Sequence, residues 1–339
     1  RQNKADGMVP ACGWTGESEW EGYISFNDLP RTYNPPEGFI VSANSYPCGE
    51  WYAHFLGKAF VANSRARRIQ EVLVDNIQNG EKVTLETSRL LQNDVLDVYS
   101  RDTMPFLLPL LQKCSSDNSA CAEMHREFSG WNSQLVENSI PSTLWQIFKK
   151  KFMRLVLEEK GIVGALRDSV LGRGPHHLAP SSTMGHNLGK NVAKIIKHYG
   201  GSLLTSTKFE QCIRDAASET LRECRENFGE KGAKWEWGQV HTFRWPHPLA
   251  SLPVIGKLFD LGSYSYQGSS DTPLQSASKF GSHEANSFVA SYRHILDFSE
   301  INKSLFLNAP GQSGHPLSDH ANDMIERYFK GELLEEKHE

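Results

Sequence analysis

Residues 33–47 read YNPPEGFIVSANSYP, and the interpretation of the whole chain starts from this stretch. Two prolines disfavour helix at Asn34, and Gly38 permits a tight turn. The apolar run at residues 39–41 predicts a short strand that ends just before Asn44. A side-chain amide held at a strand end can donate a hydrogen bond to a developing oxyanion. An asparagine that only shapes a turn is the alternative.

The composition is that of an ordinary globular protein. The chain has 339 residues, of which 39% are hydrophobic and 10% aromatic, enough for one large core or two ordinary ones. The net charge is −4 and the basic residues are scattered, so no electrostatic footprint for nucleic acid is present. No apolar run is long enough to cross a bilayer. Nucleic-acid binding and a membrane span are therefore not expected.

The six cysteines include no CxxC pair, which argues against zinc and thioredoxin-like sites. Cys114 and Cys121 enclose a polar loop between two helical patterns, and this favours a disulfide worth about 2 kcal/mol. Such a bridge would indicate an oxidising compartment, periplasmic or secreted. Cys212 and Cys224 share one helical face about 18 Å apart, so they cannot bridge each other and are expected to be buried as small hydrophobic residues.

A helix is predicted from Ala59 to Ile77, because apolar residues recur there at helical spacing. On a helical wheel Arg65 lies in the middle of the apolar arc, and Arg67 points nearly opposite. A cation on a buried stripe needs a partner, since an unpaired buried charge is costly. A structural ion pair and an arginine whose head reaches solvent are the alternatives to a functional role for Arg65.

Helical spacing also predicts two helices within residues 83–111 and one each at residues 141–159 and 204–227. Residues 172–190 show no clear period and are expected to form a loop. The pair His176-His177 in that loop lacks a third ligand at a recognisable spacing, so no metal site is predicted. Towards the C-terminus, alternating residues and glycines predict strands that cross a sheet, with one strand at residues 291–297.

Over nearly its whole length the chain resembles, in the same order, the β chain of the penicillin amidase family of N-terminal-nucleophile (Ntn) hydrolases. The motifs that carry the resemblance are W-x-G-x-x-E-W-x-G-Y-I at 14–24, NPxxGxIxxAN at 34–44, W-G-x-x-H at 237–241, R-x-I-x-D at 293–297 and P-G-Q-S-G...S-x-H...D at 310–323. One departure is residues 131–133, where the family's W-D-G turn reads Trp-Asn-Ser.

The resemblance implies an α+β fold that forms part of a four-layer αββα sandwich, with strands near both chain ends and a mainly helical middle. The divisions expected are a strand and loop region at 1–58, a helical region at 59–230 and a sheet-rich return at 231–339. Asn44 falls on the family's oxyanion-hole asparagine and Arg65 on its active-site arginine. The implied reaction is the cleavage of an acyl side chain from an amide.

The resemblance also implies a missing nucleophile. In the family, the nucleophile is the first residue of the β chain and its own α-amine is the base, whereas Arg1 has neither hydroxyl nor thiol. We therefore expect this chain to be the C-terminal part of a β chain, inactive alone. Its expected partners are the remaining β-chain segment and the α chain from the same precursor, with a small-molecule acyl amide as substrate.

Two alternatives remain open at this point. One is an acylase for acyl-homoserine lactones or other lipid amides, and the other is a catalytically inactive secreted binding protein or an orphan fragment. The resemblance leaves a structural calcium ion in the complete enzyme open, and we predict no cofactor from these residues.

Overall fold

The computed structural model describes residues 10–49, 51–58, 60–176, 179–182, 184–245, 248–285 and 288–336. Three residues used in the predictions, Arg1, Ala59 and His177, lie outside these ranges.

Helices occupy the middle of the described chain. They are α1 (Ser64–Gln78), α2 (Leu85–Gln92), α3 (Val98–Cys114), α4 (Ser119–Phe128), α5 (Ile140–Glu159), α6 (Gly164–Val170), α7 (Leu188–Lys197), α8 (Ser206–Phe228), α9 (Trp237–Val240) and, near the C-terminus, α10 (Ile325–Lys330). No described helix has both the length and the apolar content that a bilayer span requires.

The strands are short and pair antiparallel. They are β1 (Arg173–His176) with β2 (Ala179–Ser181), β3 (Thr242–Arg244) with β4 (Ser263–Ser265), β5 (Ser276–Ala277) with β6 (Phe288–Val289), and the sheet β7 (Tyr292–Ile295), β8 (Leu305–Asn308) and β9 (Leu334–Glu335). In that sheet Arg293 is opposite Leu307, and Phe306 is opposite Leu334. Helices and small sheets together confirm the α+β class, and the four-layer arrangement and the three-part division stay predictions.

The strand predicted at residues 39–41 is wrong. Within the described part of residues 10–63 only two short 3-10 turns are regular, at Gly13–Thr15 and Phe26–Asp28. A strand exists only where a neighbour completes its ladder of hydrogen bonds, and none of the described strands lies beside residues 39–41. The strands of the described chain therefore lie mainly in its C-terminal third.

The loop predicted at residues 172–190 is also wrong in part. Arg173 pairs with Ser181 in the hairpin of β1 and β2, and α7 begins at Leu188. Short antiparallel strands show too few alternating residues to produce a visible period, so the pattern of the sequence did not reveal this hairpin.

The main core lies between α5 and the helices around it. Trp145, Phe148 and Phe152 follow one face of α5, are fully buried, and stack at centroid distances of 6.3 and 5.9 Å. Facing them, α8 buries residues that recur at helical spacing along one of its faces, which are Phe209, Cys212, Ile213, Ala216, Leu221 and Cys224. Here the helical period of the sequence predicted the buried faces correctly.

A second core joins the C-terminal sheet to α10. Tyr266 and Tyr328 are buried, their rings stack at 5.9 Å, and their hydroxyls are 2.5 Å apart. The Arg293 guanidinium lies 4.2 Å from the Tyr328 ring and donates to Asn93 Oδ1 at 3.0 Å. This arginine therefore ties the sheet to the end of α2.

The helix α1 packs on α3 through ion pairs made by its polar side, which includes Arg67. Arg67 contacts Asp102, and Arg101 donates both terminal nitrogens to Glu71 at 2.8 Å. Only Ser64 of α1 is fully buried. Because the polar side of the helix meets the rest of the chain, the apolar arc stays half-exposed.

The turn at residues 131–133, which departs from the family pattern, is held by two hydrogen bonds. Ser133 has φ +62°, in the left-handed region that a glycine adopts more easily. Its carbonyl accepts from Asp97 N at 3.0 Å, and Asn132 Oδ1 accepts from Gln134 N at 3.0 Å. These two bonds hold a serine where the family has glycine.

The predicted Cys114–Cys121 disulfide is wrong, because the structure holds all six cysteines as free thiols. Both side chains are completely buried, and the two thiols interact by a hydrogen bond. Burial raises the pKa of Cys114 and raises that of Cys121 to about 12. Thiol–disulfide exchange needs an accessible thiolate, and neither group provides one.

Candidate functional site

Asn44 sits on an exposed bend after the extended residues 39–42. Its backbone has φ +62°, a conformation that asparagine tolerates better than most residues. Its carbonyl accepts from Val61 N at 3.2 Å, and the preceding Ala43 is buried. The bend is thus anchored on both sides, which holds the Asn44 side chain at the surface.

Arg65, in the first turn of α1, fixes the orientation of that side chain. Its Nη2 donates to Asn44 Oδ1 at 2.8 Å and to Ala43 O at 3.2 Å. A guanidinium carries only donors, so the oxygen of the Asn44 amide must face it and the NH₂ group must face away. Among the described residues no partner is recorded for Asn44 Nδ2. The two predicted site residues are therefore in direct contact.

The surroundings of Arg65 are partly withdrawn from water. Burial lowers its pKa, and the negative charge of Asp271 raises it in part. Its Nε is buried and has no hydrogen-bond partner within the described chain. An arginine is charged at any physiological pH even with a lowered pKa, so a cation stands directly behind the Asn44 amide.

A buried ion pair lies near this arginine, and the sequence analysis missed it. Lys149 on α5 donates to Asp271 Oδ2 at 3.0 Å, and both side chains are almost fully buried. Asp97 caps α3 by accepting from Tyr99 N and Ser100 N, and it accepts from Trp145 Nε1 at 3.0 Å. Burial raises the pKa of Asp97, while the Lys149 charge lowers it.

The helical-wheel argument used for Arg65, that a cation on an apolar face needs a partner, would also have singled out Lys149. It stands between Phe148 and Phe152 on the buried stripe of α5, in a run of three lysines. Its partner, Asp271, could not be found from a local pattern, because the two residues are 122 positions apart in the sequence.

A cavity of about 430 Å³ opens beside the ion pair. Asp271 and His186 both line it. Burial lowers the pKa of His186, Asp271 raises it and Arg65 lowers it, which places these three groups within electrostatic reach of one another. Arg65 is therefore within electrostatic reach of two residues in the cavity wall.

A serine–histidine pair in the cavity wall has the spacing of a nucleophile and its base. Ser276 Oγ lies 2.8 Å from His241 Nε2, and His241 Nδ1 donates to His283 O at 2.5 Å. Burial, however, lowers the pKa of His241 to about 3, far below the value near 7 that suits a general base. Trp237 stacks on the ring at 4.3 Å. We interpret the pair as structural.

Metal ligands are not clustered in the part of the chain that the structure describes: no three His, Cys, Asp or Glu side chains there are placed to hold one ion.

Comparisons with known proteins give the family. The sequence model described as penicillin amidase matches residues 1–338. The chain is 24% identical over 322 residues to the penicillin acylase 2 proenzyme of a Pseudomonas strain, covering 94% of this chain and 39% of that protein. It is 22% identical over 351 residues to the acyl-homoserine lactone acylase QuiP of Pseudomonas aeruginosa, covering 97% and 41%. This chain thus spans about two fifths of the length of these curated relatives.

A solved structure agrees on the fold. The thermostable penicillin G acylase of Alcaligenes faecalis superposes with a TM-score of 0.60 at 18% identity, covering 97% of this chain and 59% of that one. At that identity the likeness concerns the fold alone. The family match extends over essentially the whole sequence, and the chain belongs to the penicillin amidase family.

Proposed function

We propose that this chain is part of an acylase that hydrolyses an amide by Ntn acyl transfer, with a nucleophile supplied from outside these 339 residues. The family membership and the names of the two relatives, both acylases, support the reaction class. The proposed partners are the rest of the β chain and an α chain. Processing of both from one precursor is supported by one relative, which is named a proenzyme.

The observation that carries the proposal is the contact between Arg65 and Asn44. Because Arg65 holds the amide oxygen at 2.8 Å, the Asn44 NH₂ group is oriented away from the protein before any substrate arrives. A donor that is already oriented needs no reorganisation when charge develops on the carbonyl oxygen of the substrate. The cation behind it also polarises the amide and makes its N–H a better donor.

In this mechanism the nucleophile attacks the amide carbon and the carbonyl oxygen becomes an oxyanion. Asn44 Nδ2 donates to that oxyanion, and the intermediate collapses with loss of the amine. Arg65 touches no reacting atom and acts through Asn44 as a positioning residue. Left-handed backbone at Asn44, with φ +62°, is the kind of strained position that functional sites retain.

The location of the protein is part of the proposal. The family resemblance implies a periplasmic or secreted protein. The disulfide argument for that location no longer holds, because the cysteines are free thiols.

The test is the Asn44→Ala variant of the full-length protein that contains this chain. We expect kcat to fall about 10²- to 10³-fold, the usual cost of losing one oxyanion donor. The melting temperature should fall only slightly, because Asn44 is exposed and the cost is limited to its positive φ, which alanine adopts less readily, and to one hydrogen bond from Arg65. A matched control is Asn34→Ala, which replaces another asparagine with positive φ, +46°, in the same segment. A fall in kcat of less than about tenfold for Asn44→Ala would refute the assignment.

The role of Arg65 is tested with Arg65→Lys. Lysine keeps the charge, but its shorter side chain does not place a nitrogen where Nη2 of Arg65 donates to both Asn44 Oδ1 and Ala43 O. We expect a fall in kcat of about tenfold with little change in KM, because the ground-state substrate does not depend on the oxyanion contact. A rise in KM at constant kcat would instead assign Arg65 to substrate binding.

The substrate class is tested by assaying penicillin G and an N-acyl-homoserine lactone in parallel, because the chain is similar to a penicillin acylase and to an acyl-homoserine lactone acylase. Turnover of one of them assigns the acylase type. If a folded, processed protein turns over neither of these nor other acyl amides, the non-catalytic binding protein becomes the better interpretation.

A further inference from the structure

The cavity of about 430 Å³ contains a group of cations that the proposed mechanism does not use. Lys149, Lys150 and Lys151 follow one another on α5, and all three line the cavity. The volume is within the range of pockets that bind small organic molecules, about 300–1,000 Å³. The question is whether the charges in its wall are balanced.

Two of the three lysines have carboxylate partners. Lys149 pairs with Asp271 at 3.0 Å, and Lys151 pairs with Glu223 at 2.5 Å. Lys150 instead donates to the backbone carbonyl of Ser282 at 3.1 Å, and no ion pair is recorded for it within the described residues. The wall therefore has one more positive charge than this set of pairs neutralises.

The position of Lys150 raises the energy of its charged form. Burial and the neighbouring Lys149 lower the pKa of Lys150 to about 8, against the opposing effect of Glu223. The side chain is still mostly charged at neutral pH, but its charge is poorly solvated. An anion that enters the cavity would recover the lost interaction.

An unsatisfied amide lies in the same wall. Gln146 is one turn before Lys150 on α5, is 6% exposed and lines the cavity. Its Nε2 has no hydrogen-bond partner in the described structure. A buried donor without a partner costs about 1–3 kcal/mol, and such groups commonly occur where a ligand or water completes the site.

Another part of the wall is apolar, and it lies among polar residues such as Arg154, Ser269 and Lys279 that also line the cavity. The apolar side chains that line the cavity include Ile147, Leu171, Leu188, Trp237 and Phe280. A ligand that fits both parts of the wall has an apolar body and one negative end.

We propose that this cavity binds a small carboxylate with an apolar body, and that Lys150 is its counter-ion, with the amide of Gln146 beside it. The inference does not depend on the proposed acylase activity, because neither Asn44 nor Arg65 lines the cavity.

The experiment is calorimetric titration of octanoate into the full-length protein. Lys150→Gln keeps a donor for Ser282 O and removes the charge. We expect its Kd for octanoate to rise about 10- to 100-fold, the usual range for a charge-assisted hydrogen bond. The control Lys113→Gln changes an exposed lysine outside the cavity and should leave the Kd unaltered.

Octanamide is the matched neutral probe. It should bind more weakly than octanoate to the parent protein and equally to the parent and Lys150→Gln. Inorganic phosphate should bind more weakly than octanoate, because it lacks an apolar body.

The affinity for octanoate should also depend on pH. The titratable and charged groups around Lys150 are Lys149 and Lys151 on α5 and Glu223 on α8, and the cavity wall also holds Arg154, His186, His241, Asp271, Lys279 and His283. Burial lowers the pKa of all three histidines, so Lys150 is the group in this set expected to titrate near pH 8. The Kd should be flat near pH 7 and rise by about tenfold per pH unit above pH 8.

Three results would overturn the proposal: no octanoate binding at millimolar concentration, equal affinity for octanoate and octanamide, or an unchanged Kd in Lys150→Gln. If Lys150→Gln fails to fold, Ala277→Leu provides the test. Ala277 lines the cavity and is buried, so a larger side chain there should fill the space and abolish octanoate binding. Octanoate binding that survives this substitution would equally exclude the cavity as the site.

Discussion

Replacing Lys149 by methionine tests how much the free energy of unfolding depends on one cation beside the buried carboxylates near the site. The Lys149 Nζ lies 3.0 Å from Asp271 Oδ2, and the exposed fractions of the two side chains are 4% and 6%. Asp97 is completely buried nearby, and the Lys149 charge lowers its pKa. Methionine has a similar volume, so the substitution removes the charge with little change in packing.

The expected loss in free energy of unfolding is about 3–5 kcal/mol, the cost of breaking a buried pair by removing one partner. Asp271 would then lose its hydrogen-bonded cation, and Asp97 would lose the nearby positive charge that lowers its pKa. The folded protein can relieve this by protonating a carboxylate, whose folded-state pKa would lie above its unfolded value. Stability would therefore be retained at low pH and lost as pH rises, so the destabilisation should be larger near pH 8 than near pH 5.

The assay is urea denaturation of the full-length protein at both pH values. The double variant Lys149→Met with Asp271→Asn removes both charges and should recover about 2 kcal/mol or more relative to Lys149→Met alone. Lys113→Met is the matched control, because Lys113 pairs with Glu210 at 2.6 Å but is 63% exposed. An exposed pair contributes less than about 1 kcal/mol.

Two outcomes would refute this reasoning. The first is a loss below about 1 kcal/mol in Lys149→Met, which would show that water reaches the pair. The second is a double variant as destabilised as the sum of the two single variants, which would show that the charges are not coupled.

The remaining predictions concern buried thiols and acid stability. Cys114 and Cys121 should react with a thiol reagent only under denaturing conditions, because both are completely buried and burial raises their pKa values; rapid labelling of native protein would contradict this. Burial raises the pKa of Glu223, but hydrogen bonds from His283 and Lys151 lower it to about 2. Its folded-state pKa thus lies below the unfolded value, so its stabilising contribution is present above about pH 4.5 and is lost as pH falls towards 2. The Glu223→Gln variant should be less stable than the parent at neutral pH and approach it in acid, and a stability difference independent of pH would contradict the assignment.

The helices could be predicted from sequence because their signals are local, whereas the roles of Asn44 and Arg65 stay predictions. The buried faces of α5 and α8 follow from apolar residues at a spacing of 3.6, a property of each helix by itself. Asn44 was singled out by the turn-forming residues before it and by a family motif, and Arg65 by its place on an apolar arc and by its family position. Their direct contact at 2.8 Å joins two positions only 21 residues apart.

Tertiary structure decided what depends on a distant partner. The apolar residues 39–41 satisfy a local pattern for a strand, but a strand also needs a neighbour, and none of the described strands lies beside them. Lys149 and Asp271 are 122 residues apart, so no local period could pair them. The pair Ser276 and His241 has catalytic spacing, yet burial lowers the pKa of His241 to about 3 and makes it a poor base. Local patterns report which face of an element is buried, whereas partners, cavities and pKa values depend on which elements meet in space.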